Sequence, residues 1–127
     1  MKLLLDTHAF IWWDSDPAQL SAPALAALRD PANEVWLSVA SVWEMVIKAQ
    51  LGKLTLRLPL TAIVTQQQGN GLQVLPATLA HALAVEGLPA LHKDPFDRML
   101  IAQANVEGAE LVSADQVIRQ YPVRILW

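Results

Sequence analysis

Lys2-Leu3-Leu4-Leu5-Asp6-Thr7-His8 opens the chain with an apolar run that ends on an acid, and its reading decides the fold. Residues 2 to 5 read as a short buried strand, and Thr7 to Trp13 continue at helical spacing with Phe10 and Ile11 on the apolar side. Asp14-Ser15-Asp16-Pro17 breaks that element, and Ser21-Ala22-Pro23 reads as an N-cap with proline in the first turn of a helix running to Arg29. Glu34 to Leu37 is strand-like. Ser38 or Ser41 can cap the next helix, which carries Val42, Trp43, Met45, Val46 and Ile47 and closes at Gly52.

Leu54 to Leu58 alternates apolar and polar residues, and Pro59 permits a helix to about Gln68, ended by Gly69-Asn70-Gly71. Leu72 to Leu75 reads as a third strand, Ala77 to Val85 as a helix, and Asp94-Pro95 as the start of a longer helix ending at Gly108. Leu111-Val112 and Val123 to Leu126 supply the last two strands. Short apolar strands alternating with helices predict a parallel sheet covered on both faces, because right-handed crossovers place the helices there.

In such a sheet the functional crevice lies beyond the carboxyl ends of the strands, where strand order reverses. Asp6 and Asp115 each follow a strand-like run, and Glu44 and Asp97 lie near the starts of helices that reach the same edge. Converging carboxylates repel one another. One or two hard divalent cations, Mg²⁺ or Mn²⁺, would relieve that repulsion, since they take oxygen ligands from a few carboxylates, water and substrate phosphate. The pattern therefore predicts a small metal-dependent phosphodiesterase.

Each acid also has a local structural use. Asp94 suits the N-cap of its helix with Pro95 at the first position, and Asp97 then faces the positive helix end. Glu44 could complete a capping box with Ser41 or pair with Lys48 one turn on. Asp115 could cap residues 116 to 120, and Asp6 the first helix. Capping alone does not require all four at one end of a sheet. Thr7 and Ser113 stand beside the cluster with hydroxyls able to hold a carboxylate or a water. His8, His81 and His92 lack the paired spacing of a zinc site and read as core or surface histidines. Most of the 5 tryptophans read as core or subunit interface, with base stacking open to an exposed one.

At 127 residues the chain fits one domain, residues 1–127. Hydrophobic content is 54% and mean hydropathy +0.30, yet no apolar segment approaches the roughly 18 residues a membrane crossing needs. The opening apolar run is too short for a secretory signal, and the absence of cysteine excludes disulfides and thiolate metal sites. A soluble, cytoplasmic protein is the expectation. With a net charge of −3, nucleic acid must be met by local cations: Lys48, Lys53 and Arg57, or Lys93 and Arg98.

Four motifs in order carry a resemblance: Leu4-Leu5-Asp6-Thr7-His8, Ser41-Val42-Trp43-Glu44 with Lys48, the block from His92 to Ala104, and Leu111-Val112-Ser113-Ala114-Asp115. Together they resemble the PIN-domain ribonucleases, and among these the VapC-type toxins of bacterial toxin-antitoxin pairs. The resemblance implies a three-layer α/β/α fold with a five-stranded parallel sheet. It implies an Mg²⁺- or Mn²⁺-dependent endoribonuclease, a homodimer, an RNA substrate and neutralisation by a small antitoxin. Its acidic triad falls on Asp6, Glu44 and Asp97, with Asp115 as a variable fourth acid. Asp94 also matches a recurrent position, as metal contact or cap, and Arg98 another, facing a phosphate or a carboxylate. Two rivals are a receiver-like signalling module, which would need paired acids after the first strand and an aspartate after the third where Leu75-Pro76 stands, and a catalytically silent PIN-like binding protein.

Overall fold

The computed structural model describes residues 1–127. Five parallel strands form one sheet in the order β3-β2-β1-β4-β5. They are β1 (Lys2–Leu5), β2 (Glu34–Ser38), β3 (Gln73–Leu75), β4 (Glu110–Val112) and β5 (Ile125–Leu126). Six helices connect them: α1 (Thr7–Ser15), α2 (Ala22–Arg29), α3 (Val39–Gln50), α4 (Leu60–Gly69), α5 (Leu79–Ala84) and α6 (Pro95–Glu107).

The leucines of β1 sort the helices into layers. Successive strand side chains point to opposite faces. Leu3 and Leu5 join a buried cluster with Phe10 of α1, Leu28 of α2, Met45 of α3 and Ile63 of α4. Leu4 joins a separate cluster with Leu100, Ile101 and Ala104 of α6. The result is the expected three-layer α/β/α sandwich. No helix is long and apolar enough to cross a membrane.

Side-chain caps set the helix starts. Asp6, Ser21, Ser38, Thr78 and Asp94 each accept a hydrogen bond from the first turn of the helix they precede. At α3 the cap is Ser38, so Ser41 is released to face inward, where it is fully buried. α6 stops at Gly108, whose φ of 65° lies in the left-handed region that glycine adopts without a Cβ clash.

Three elements differ from the periodicity. Leu54 to Leu58 forms no strand; Leu54 and Leu56 lean onto the first cluster while Arg57 turns out to fork Asp14 at 2.8 Å. α5 begins at Leu79 because Thr78 caps it, and a 3₁₀ turn over Val85–Gly87 follows. β5 is shorter than 123 to 126 because Pro122 has no N–H and the Val123 amide bonds back to Tyr121 instead.

β1 is central, with β2 on one side and β4 on the other. The chain winds outward from β1 to β3 and then crosses back to β4, so order reverses between β1 and β4. Asp6 leaves the carboxyl end of one of these strands, and Ser113 to Asp115 leave the other.

Candidate metal centre

Asp6 is 5% exposed. Its Oδ1 accepts the Ala9 amide at 2.7 Å, so the carboxylate that caps α1 also looks into the crevice. Burial pushes the carboxyl above its ordinary 3.8, Asp115 adds to the rise, and the Ser113 hydroxyl, the Ala9 amide and His8 pull the other way. No lysine or arginine acts on it. Across the reversal point, Ser113 is fully buried and its Oγ accepts the Asp115 amide at 3.1 Å. Asp115 itself is exposed and caps the next turn, with Oδ1 accepting the amides of Val117 and Ile118 at 2.7 and 3.1 Å.

Thr7 joins this half of the rim to the other. Its Oγ1 donates to Glu44 Oε1 at 2.6 Å and lies 3.1 Å from Ser41 Oγ. Glu44 sits on the sixth position of α3, 4% exposed, and its other oxygen accepts Lys48 Nζ at 2.6 Å. Of its two local alternatives, the pair with Lys48 forms and the capping box with Ser41 does not.

Asp97, in the first turn of α6, completes the second half. Its pKa is raised to about 6, chiefly by burial, then by the charge of Asp94 and that of Glu44, with His92 opposing. Asp94 Oδ1 accepts the amides of Phe96 and Asp97 at 2.8 and 3.0 Å, so it caps the helix. The ligand atoms of His92, Asp94 and Asp97 all lie within 4.8 Å of one another. Lys48 feels Asp94 and Asp97 as well as Glu44, and all three hold its ammonium pKa up.

The structure thus gathers the predicted acids into two groups. Asp6 and Asp115 flank the β1–β4 gap, Glu44 and Asp97 with Asp94 span α3 and α6, and Thr7 bridges them. Arg98 does not take part: it donates to the carbonyls of Pro89 and Val85 at 2.8 and 3.4 Å and to the Tyr121 hydroxyl at 3.2 Å. Within the chain its contacts are a clamp on the loop ahead of α6 rather than a carboxylate. Arg57, bound to Asp14, is likewise engaged away from the rim.

Two participants escaped sequence reasoning. His92 is no core or idle surface histidine, because its Nε2 lies 2.9 Å from Asp97 Oδ2. Its five-residue offset crosses the Asp94-Pro95 helix start, where no periodicity applies. Ser41 was legible only as a cap. His81 is the core histidine expected, 1% exposed, with Nδ1 accepting the Thr78 amide at 3.1 Å and Nε2 3.1 Å from Glu107.

The donor chemistry fits a hard divalent cation. The approaching ligand atoms are carboxylate oxygens with one imidazole nitrogen, that of His92, two of the carboxyls hold raised pKa values, and a positive ion would reverse that rise. α1 and α6 present their positive amino-terminal ends at this edge, which suits an anion such as a phosphate rather than the cation itself.

Fold and site together define an acidic-rim α/β protein, and the sequence profile of the PIN domain matches residues 3–123. The chain belongs to the PIN domain family. It is similar to Ribonuclease VapC22 of Mycobacterium tuberculosis, 29% identical over 120 residues that cover 94% of this chain and 91% of that protein. Its fold is similar to that of VapBC2 from Rickettsia felis, solved bound to a promoter DNA fragment, with TM-score 0.70, 15% identity and coverage of 98% and 96% of the two chains. DNA-bound VapBC from Salmonella typhimurium gives a TM-score of 0.68 at 17% identity, with the same coverage.

Proposed function

We propose that this chain, as one domain, is a metal-dependent endoribonuclease and the toxin of a VapBC-type pair, acting in the cytoplasm as a homodimer until a cognate antitoxin neutralises it. Asp6, Glu44, Asp97 and Asp115 would hold Mg²⁺ or Mn²⁺ against the scissile phosphate. When bound, the ion neutralises the carboxylates, attracts the phosphate and acidifies a water for attack, so no side-chain nucleophile is needed.

The observation that carries this reading is Asp6, a buried carboxylate raised by desolvation on which no lysine or arginine acts, linked through Thr7 and Glu44 to the raised Asp97. Thr7 orients Glu44 by donating to Oε1, which leaves its charge aimed along a single direction. Ser113 ties the Asp115 loop back to the β4 end. Asp94 fixes the first turn of α6 and so the position of Asp97. Arg98 holds the loop that carries His92. Lys48 keeps a positive charge beside Glu44, where an approaching phosphate meets it.

A catalytically silent PIN-like protein is the second reading, favoured by Lys48 and His92, which already sit on Glu44 and Asp97 where a cation would act. Purified protein incubated with RNA in Mg²⁺ and then in EDTA separates the two. Cleavage that needs the metal and vanishes in Asp6→Asn and Asp97→Asn supports the nuclease. Parental cleavage by either variant overturns it.

A further inference from the structure

Beside Asp6 and Asp115 an open cavity of about 240 Å³ is walled on its far side by His8, Trp12 and Ala114. His8 and Trp12 stand four residues apart on α1, which puts both rings on one helix face. Their centroids are 5.8 Å apart with planes inclined by 35°, and Trp12 in turn meets Trp127 at 5.9 Å. Trp12 and Trp127 pack against the buried cluster, while His8 is exposed. Trp12 is thus held in place by Trp127 and the core while it and the exposed His8 line the cavity, and the metal scheme above leaves these two rings without a task.

We infer that this cavity takes one unpaired nucleobase of single-stranded RNA, stacked on Trp12 and His8, next to the phosphate to be cut. The inference rests on the ribonuclease reading for the adjoining phosphate site. The ring side of the cavity contains no lysine or arginine to hold a phosphate, so there a neutral planar group is favoured over an anion. Asp6 and Asp115 belong to both the cavity and the acidic rim. A base seated here is therefore attached to a phosphate lying at that rim. A chain of net charge −3 also lacks the long-range field that holds RNA by its backbone, and stacking supplies sequence-tolerant affinity without positive charge. A base inside a duplex cannot reach the ring faces, so the cavity selects unpaired segments.

The test uses the intact chain and a labelled single-stranded RNA in which an abasic nucleotide is stepped through positions around the cut bond. Cleavage is followed in Mg²⁺, and binding in EDTA by anisotropy and tryptophan quenching. Trp12→Leu and His8→Ala are expected to raise KM about tenfold and lower kcat less, with Trp12→Phe restoring most of the loss. One abasic position next to the cut is expected to cost the parent that same factor and to cost Trp12→Leu nothing more. If the parent cuts RNA while the variants match it and no abasic position matters, the cavity assignment falls and the ribonuclease reading stands. If the parent binds RNA with this Trp12- and base-dependence but never cuts, the ribonuclease reading falls and the cavity assignment stands. No base-dependent binding and no cleavage overturns both. His8→Ala removes an exposed ring, so it decides the matter even if Trp12→Leu fails to fold by circular dichroism.

Discussion

Asp6 and Asp97 stand on opposite halves of the acidic rim, and their neighbours differ in kind. Around Asp6 only an amide and a hydroxyl, with a more distant histidine, oppose the effect of burial. Glu44 and Asp97 already have basic side chains against them, with Lys48 Nζ at 2.6 Å from one and His92 Nε2 at 2.9 Å from the other. Buried charge is tolerated when it is paired and is expensive when it is not. The β1–β4 half therefore keeps an unmet demand for positive charge, and the α3–α6 half has a provisional answer that an incoming cation must displace. On the metal-dependent reading proposed above, a rim built this way would fold without metal and recruit one first at Asp6.

The largest expected effects each remove the central acid of one half. Asp6→Asn and Asp97→Asn should each lower RNA cleavage by more than about a hundredfold, beyond the 10 to 100-fold typical of groups that only orient a metal ligand. Asp6→Asn should keep its far-ultraviolet dichroism, because asparagine caps α1 as well as aspartate does. Thr7→Val comes next, since it cuts the link between the halves while leaving every acid in place. Cleavage should fall roughly 10 to 100-fold, and apparent Mg²⁺ affinity with it.

pH sharpens the comparison further. Asp97 has a folded pKa of about 6 against an ordinary 3.8, so its proton is held more tightly in the folded chain. Its contribution to metal-free stability is full below the unfolded pKa and is lost as pH rises through about 6. Urea unfolding in EDTA should show the wild type losing about 1 to 2 kcal/mol from this group between pH 4 and pH 7, after allowance for its partly solvated position. Asp97→Asn should flatten that slope. Metal and proton compete for the same oxygen, so Mg²⁺ affinity measured by calorimetry should weaken as pH drops below about 6.

The smallest effect concerns the provisional cation. Lys48→Met should lower metal-free stability by about 1 kcal/mol, a modest figure because the lysine side chain is 41% exposed. Saturating Mg²⁺ should narrow the gap in melting temperature between variant and parent. A gap unchanged by Mg²⁺ would place Lys48 outside the cation-binding region.

Much of the frame was legible because its signals are local. Leu3 and Leu5 against Leu4 announce a strand buried on both faces, and Asp94-Pro95 with Gly108 brackets α6 through cap chemistry that needs only neighbouring residues. Elsewhere local signals said less. Leu54 to Leu58 alternates apolar and polar residues, and the alternation reflects a loop whose Leu54 and Leu56 lean on the core. Arg98 stands beside Asp97 in sequence, but one residue on a helix turns its side chain by about a quarter-turn or more, toward the carbonyls of Pro89 and Val85.

The sequence by itself determined which carboxylates reach the carboxyl edge of the sheet, because strand and helix boundaries follow from hydrophobic spacing and capping. Only the tertiary structure decided how they are neutralised there. Thr7 meets Glu44 across 37 positions, and Trp12 meets Trp127 from opposite ends of the chain. Contacts of that kind arise when layers pack against a sheet, and no periodicity along a chain encodes the distance between two side chains that folding alone brings together.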